Sequence, residues 1–326
     1  MKKRGYYEAA AAAVGLFVLI IDSRNALNGA GEGLNICIRV LIPTLFPFLF
    51  LSAWLCSKLE RISVPSGAMI ARLFSVPKGA EPLLLCGLLG GYPIGALNVD
   101  GAVGRRLIAP KDGKRLLIIC NQCGPAFIFG MAAVLFDSPI AGWLLVLIQL
   151  LSAMITAYML PGSSGTAPGR ILQETRRQPM DQAIRSTANI CGWVILFKTL
   201  VAFLQRWALW IFPMEAQVTL VGFLEMSNGC LFLPEIRSSA LRFVLCAVFM
   251  NFGGLCVTMQ TFSLVKNTDK GLYLQGKLLQ SAVAAALSCA LCGRYIFAVP
   301  LVIGLVFSII LRKNKKRCRN SRRVVV

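Results

Sequence analysis

Two apolar stretches of this chain are each interrupted by a glycine-rich polar segment, Gly90-Gly91-Tyr92-Pro93-Ile94-Gly95 and Leu224-Glu225-Met226-Ser227-Asn228-Gly229. Each is followed by a second apolar stretch that carries an Asn-x-x-Gly, Asn121-Gln122-Cys123-Gly124 and Asn251-Phe252-Gly253-Gly254. Lipid offers unwound backbone no hydrogen bonds, so such breaks survive in a bilayer only where protein buries them or a watery cavity receives them. Paired breaks at corresponding places in two halves of a chain point to a substrate pathway.

Composition agrees with a membrane setting. Of 326 residues, 56% are apolar and 15% charged, with a mean hydropathy of +0.69, which leaves too little polar surface for a soluble globule of this size. The net charge of +20 sits in the gaps between apolar runs. Those basic residues are read as topology signals and as contacts to anionic lipid headgroups, above all in the tail, and nucleic acid is not an expected partner. The opening Met1-Lys2-Lys3-Arg4 and the apolar run after it have the plan of a secretory signal, but no small-x-small site follows convincingly, so an uncleaved first helix is expected.

The twelve cysteines fall mostly inside apolar segments and are read as packing thiols. Cys120-x-x-Cys123 and Cys289-x-x-Cys292 have redox spacing without partner ligands. Histidine is absent, which removes the commonest general base and zinc ligand; neither an enzyme nor a metal site is expected.

Apolar runs long enough to cross about 30 Å of hydrocarbon predict eight spans, at 7–21, 35–56, 116–136, 140–160, 188–212, 241–265, 277–292 and 295–311. The interrupted segments 82–107 and 217–234 are predicted to be re-entrant helical hairpins. Lysine and arginine in the connections test this count. The tail after Leu311, the connections with Lys266 and Lys270, with Arg170 to Arg185 and with Lys58 to Lys78, and the N-terminus all fall on the cytoplasmic side. This works only if the first hairpin opens to the cytoplasm and the second to the outside, which predicts an all-α polytopic membrane protein with an inverted-topology repeat. The divisions are 1–34, an N-terminal helix and loop; 35–160, the first repeat; 161–187, a cytoplasmic linker; 188–292, the second repeat; and 293–326, a final span and basic tail. Asn35-Ile36-Cys37 and Asn189-Ile190-Cys191 open the two repeats alike.

Pro93 and the glycines at 91 and 95 should unwind the first hairpin and present helix ends; close helix packing is the competing explanation for the glycines. Asn121, Gln122 and Asn251 either face a wet cavity or bond across helices. Glu225 is the conspicuous intramembrane acid: it holds a coupling ion, binds a cationic group or pairs with Lys198. Lys198, in mid-span, either makes that ion pair or serves as counter-charge to an anionic substrate. Asp100 is expected to cap the second half of its hairpin.

Five segments together resemble the sporulation integral membrane protein YlbJ or SpoVV family, within the nucleoside-recognition Gate-domain membrane proteins. They are Leu45-Phe46-Pro47-Phe48, Gly91-Tyr92-Pro93-Ile94-Gly95-Ala96, Asn121 through Gly130, Leu224-Glu225-Met226-Ser227-Asn228-Gly229, and Gly253-Gly254-Leu255 through Gln260. The resemblance runs from about Asn35 to Leu311. It implies a carrier of dipicolinate, a planar pyridine dicarboxylate, in endospore-forming bacteria, acting at the outer forespore membrane. The family's motif positions fall on Gly91, Tyr92, Pro93, Gly95, Asn121, Gly124, Pro125, Glu225, Asn228 and Gly229. The sequence departs from the pattern at Leu97 and Thr258, which bears on substrate more than on fold.

The expected substrate site is therefore Gly91, Tyr92, Pro93, Gly95, Asn121, Gly124, Pro125, Lys198, Glu225, Asn228, Gly229, Asn251 and Gly254, without a cofactor beyond a coupling proton or sodium ion. A nucleoside or nucleobase cargo on the same fold, and a non-transporting sporulation membrane scaffold, are the alternatives. Homo-oligomerisation is left open by the sequence.

Overall fold

Proline and glycine punctuate this chain, and helices start and stop at them. The computed structural model describes residues 2–59, 69, 72–77, 79–160 and 178–293, and among these it holds helices and no strand. Pro110, Pro125, Pro139 and Pro179 each occupy the first helical position, where the missing amide costs nothing.

The first half contains α1 (Lys2–Ile21), α2 (Ser23–Ile36), α3 (Ile42–Leu59), α4 (Glu81–Gly90), α5 (Ile94–Gly104), α6 (Pro110–Cys120), α7 (Pro125–Phe136) and α8 (Pro139–Met159). The second contains α9 (Pro179–Trp207), α10 (Met214–Leu224), α11 (Met226–Phe232), α12 (Ser239–Phe252), α13 (Gly254–Leu264) and α14 (Tyr273–Leu291). Among the described residues six helical segments are long and apolar enough to cross a membrane: Ser23–Leu55, Pro110–Phe136, Pro139–Met159, Pro179–Trp207, Ser239–Leu264 and Tyr273–Leu291. The chain is an all-α integral membrane protein.

Several expectations change here. The segment expected as a loop before residue 35 is helical: α2 follows α1 after a single turn at Asp22 and runs into a π-turn at Cys37–Leu41, so the span begins at Ser23. Gly29 and Gly33 are the reason α2 hugs α9, since a Cβ at either would lie 2.8 Å from Ala202 Cβ or 2.9 Å from Ile195 Cα. The first predicted span is a helix whose apolar part, Ala12–Ile21, is too short to count among the six. The predicted span at 295–311, the linker at 161–177 and the basic tail lie outside the described residues. Among the described residues eight cysteines, Cys37 and Cys123 among them, are free thiols, as expected, but Cys86 is disulfide-bonded.

Both interrupted segments are broken helices, α4 from α5 and α10 from α11. The two Asn-x-x-Gly elements also break their spans, α6 from α7 and α12 from α13. The connections gather on one face. The Asp100 carboxylate, in α5, accepts from the backbone amides of Lys266, Asn267 and Thr268 at 3.1, 2.7 and 2.8 Å and from Asn267 Nδ2 at 2.9 Å. The sequence predicts that it caps its own helix; instead it ties α5 to the loop after α13. Lys114 pairs with Asp269 of that loop, and Arg115 donates to the carbonyls of Phe74, Ser75 and Ala157. At the far end of the α6–α7 span, Phe136 packs edge-on against Phe243 with centroids 5.7 Å apart, just after the second hairpin has left into α12. The two hairpins thus exit at opposite ends of that span. The two Asn-Ile-Cys triplets meet as well, with the Cys37 thiol 3.8 Å from the Cys191 carbonyl oxygen.

Candidate functional site

Each hairpin break packs against the break of the span that follows it. Gly91 (φ +68°) lies so close to Gly124 that a Cβ would stand 2.8 Å from that residue's Cα and N. Gly254 (φ +78°) approaches the second break equally closely, with its Cβ position 3.0 Å from Leu224 O and 3.2 Å from Met226 N. Only glycine combines that φ with that approach.

A small cavity, partly open to the surroundings, lies where the two sets of breaks meet. Gly90, Gly91 and Tyr92 come to it from the first hairpin, Glu225, Met226 and Ser227 from the second. Cys123 and Gly124 reach it from the break of α6–α7, and Cys256, Val257 and Gln260 from α13. Apolar side chains of α3 and α9, including Leu45, Phe48, Ile190 and Val194, close the remaining wall. The π-turn that precedes α3 ends at Leu41, also in that wall.

Glu225 is 1% exposed and spends both oxygens on the start of α11: Oε1 accepts from Ser227 N at 3.0 Å and Oε2 from Asn228 N at 2.7 Å. It caps the shorter arm of the hairpin while facing the cavity. The Lys198–Glu225 ion pair, one of the alternatives open to these residues, is not formed. Lys198 Nζ instead lies 3.1 Å from Glu32 Oε2 of α2 and 5.1 Å from the Phe232 ring centroid, away from the cavity wall. A helix that sequence reading had placed outside the repeat supplies its partner.

Behind the cavity lies a buried polar cluster. Asn121 Nδ2 donates to Thr261 Oγ1 at 2.9 Å and to the Tyr273 hydroxyl at 2.7 Å. Gln122 and Gln280 exchange amide hydrogen bonds at 2.6 and 3.1 Å, and Gln280 also donates to Asn251 Oδ1, which accepts from Ser152 Oγ at 2.7 Å. Of the two alternatives for Asn121, Gln122 and Asn251, bonding across helices is the one observed.

The remaining expected residues divide in the same way. Gly91, Tyr92, Gly124 and Glu225 line the cavity. Gly95 is a packing residue: its Cβ would lie 1.9 Å from the Cys120 carbonyl oxygen. Gly229 is another: a Cβ there would lie 2.2 Å from Gly222 Cα. Pro93 and Pro125 start the helices on either side of the breaks, and Asn228 leaves its Nδ2 buried without a hydrogen-bond partner.

Sequence reading missed Lys277, Gln280 and Gln260. Lys277 lies one turn inside α14, is fully buried, and donates to Asn121 O at 3.0 Å and Gln280 Oε1 at 3.1 Å. Its Nζ stands 5.3 Å from the centroid of the Tyr92 ring. Hydropathy places it at the edge of a span; the signal for more is Lys277 and Gln280 three residues apart, on one face of an otherwise apolar helix. No cluster of acidic or cysteine residues fit to hold a metal ion occurs among the described residues.

The fold and the cavity define a polytopic helical membrane protein with four helix breaks gathered around one largely apolar cavity. No protein-family model, no curated protein and no solved structure matches the chain.

Proposed function

We propose that this protein is a secondary transporter of a small anionic heterocyclic metabolite, moved by alternating access around the cavity between the helix breaks. The observation that carries this reading is the convergence of both hairpin breaks and both span breaks on that one cavity. Unwound backbone gathered around a pocket inside a membrane protein is the arrangement by which carriers hold a solute between two gates.

Three features support an inverted repeat as the moving part. Each half follows the order span, hairpin, broken span, span. The hairpins exit at opposite ends of the α6–α7 span, and the two Asn-Ile-Cys triplets meet. The face that gathers Arg105, Arg106, Lys266 and Lys270 is the cytoplasmic one on the positive-inside rule. Dipicolinate, in the outer forespore membrane of a sporulating bacterium, is the cargo suggested by the YlbJ or SpoVV resemblance. A nucleobase or nucleoside is the second reading, favoured by Gln260 in the wall, since an amide can read a base edge.

Uptake by purified protein in liposomes tests this. Accumulation of dipicolinate, lost in Tyr92→Ala while the protein stays folded, is the expected result. Absence of uptake for dipicolinate, nucleosides and nucleobases alike overturns transport, and uptake of nucleosides alone selects the second reading.

A further inference from the structure

Lys277 is a basic side chain whose hydrogen-bond partners offer it no counter-charge. It is fully buried, and its two hydrogen-bond partners, the Asn121 carbonyl and the Gln280 amide oxygen, are neutral. Among the described residues no carboxylate lies within ion-pair distance of it. Lys198, the other buried lysine of the second half, has Glu32. An ammonium removed from water without a counter-ion is costly, and an anion brought beside it from outside the chain would offset that cost.

The path for such an anion is short. Tyr92 stands between the ammonium and the cavity, lining the cavity and offering its ring to Nζ at 5.3 Å. Its hydroxyl is held by a single long hydrogen bond to Met250 O at 3.3 Å. Gly91 before it has the backbone freedom of a glycine, and Gly253 beside it has no side chain, a Cβ there lying 3.0 Å from the Tyr92 hydroxyl. Two of the three ammonium protons are taken by Asn121 and Gln280, which leaves one directed to the ring or to whatever replaces it.

We propose that Lys277 is the carboxylate-recognition residue of the cavity, reached when the ligand shifts the Tyr92 ring from between them. This rests on the transport reading for its ligand class, but names a single cation and a single anionic group. A planar aromatic acid fits best: its ring packs on Tyr92 while its carboxylate takes the free proton of Lys277.

The test is thermal stabilisation and binding of the full chain in detergent by picolinate and by its uncharged isostere, picolinamide. The wild type is expected to prefer the acid by about ten- to a hundredfold, the worth of one charge-assisted hydrogen bond. Lys277→Gln is expected to lose that preference, and Lys198→Gln to keep it. Equal binding of acid and amide by the wild type, no binding of either, or a preference that persists in Lys277→Gln each overturns the proposal. The wild-type comparison decides even if Lys277→Gln does not fold. A Lys277-dependent preference with no movement of acid into liposomes would leave this inference standing and defeat transport; uptake of nucleosides by a protein indifferent to the acid would do the reverse.

Discussion

The Cβ position of Gly95 lies 1.9 Å from the carbonyl oxygen of Cys120, so the first hairpin is pressed onto the end of α6 with no room for a methyl group. A Cβ on Gly87, on the other arm, would lie 2.1 Å from the same oxygen. The two arms straddle the end of α6, and the polar break at Asn121 is held in place by that grip.

Gly95→Ala should therefore lower stability by about 1–3 kcal/mol, toward the upper end because the clash is with backbone, which cannot rotate away. Gly130→Ala has nothing within 4 Å and should stay within about 0.5 kcal/mol of wild type. Thermal unfolding in detergent compares them; equal effects would contradict the packing.

Gln122 and Gln280 should act as a unit. Gln280→Leu strands Gln122 Oε1 and removes an acceptor from Lys277, at about 1–3 kcal/mol. A double-mutant cycle of Gln122→Ala with Gln280→Ala should give a coupling of about 0.6–1.7 kcal/mol, the range for polar contacts between membrane helices. Strict additivity would show that the contact carries no energy.

Glu32→Ala leaves the Lys198 ammonium with the Phe232 ring alone. The expected cost is about 1–2 kcal/mol, below that of a fully buried pair because Glu32 is largely exposed. The double variant Glu32→Gln with Lys198→Met should recover most of it, and ligand preference should not change. A loss of ligand preference on Lys198→Met would return that lysine to the binding site.

Asp100 predicts a pH dependence. It lies at the loop end of α5, outside the six spans. Burial works against its ionisation, but the amides of Lys266, Asn267 and Thr268 and the Asn267 side chain outweigh that and hold the carboxyl below its ordinary value. A depressed folded-state value stabilises fully above the unfolded pKa of about 3.9 and is lost as pH falls through the folded value. The advantage of wild type over Asp100→Asn should hold at pH 7 and shrink below about pH 4. An advantage independent of pH would assign it to hydrogen-bond shape rather than charge.

Much of this architecture was open to a reader of the sequence. Helix breaks at Gly91 to Pro93, at Glu225, at Asn121 to Gly124 and at Gly253 are local events, dictated by glycine's freedom, proline's missing amide and short polar runs in apolar segments, and they occur where those letters stand. The membrane setting followed from composition for the same reason: it is a sum over residues and needs no partner.

Tertiary structure decided every pairing. Lys198 turned to Glu32 because α2 continues as a helix and Gly29 and Gly33 let it lie against α9, a contact between residues more than 160 positions apart. Asp100 crossed to the loop at Lys266 to Thr268. Lys277, at what the sequence presents as the edge of a span, became fully buried because the broken end of α6 and the Tyr92 hairpin close over it. Local chemistry set where the backbone opens; which charge faces the opening depended on how distant helices pack, and no window of sequence contains that information.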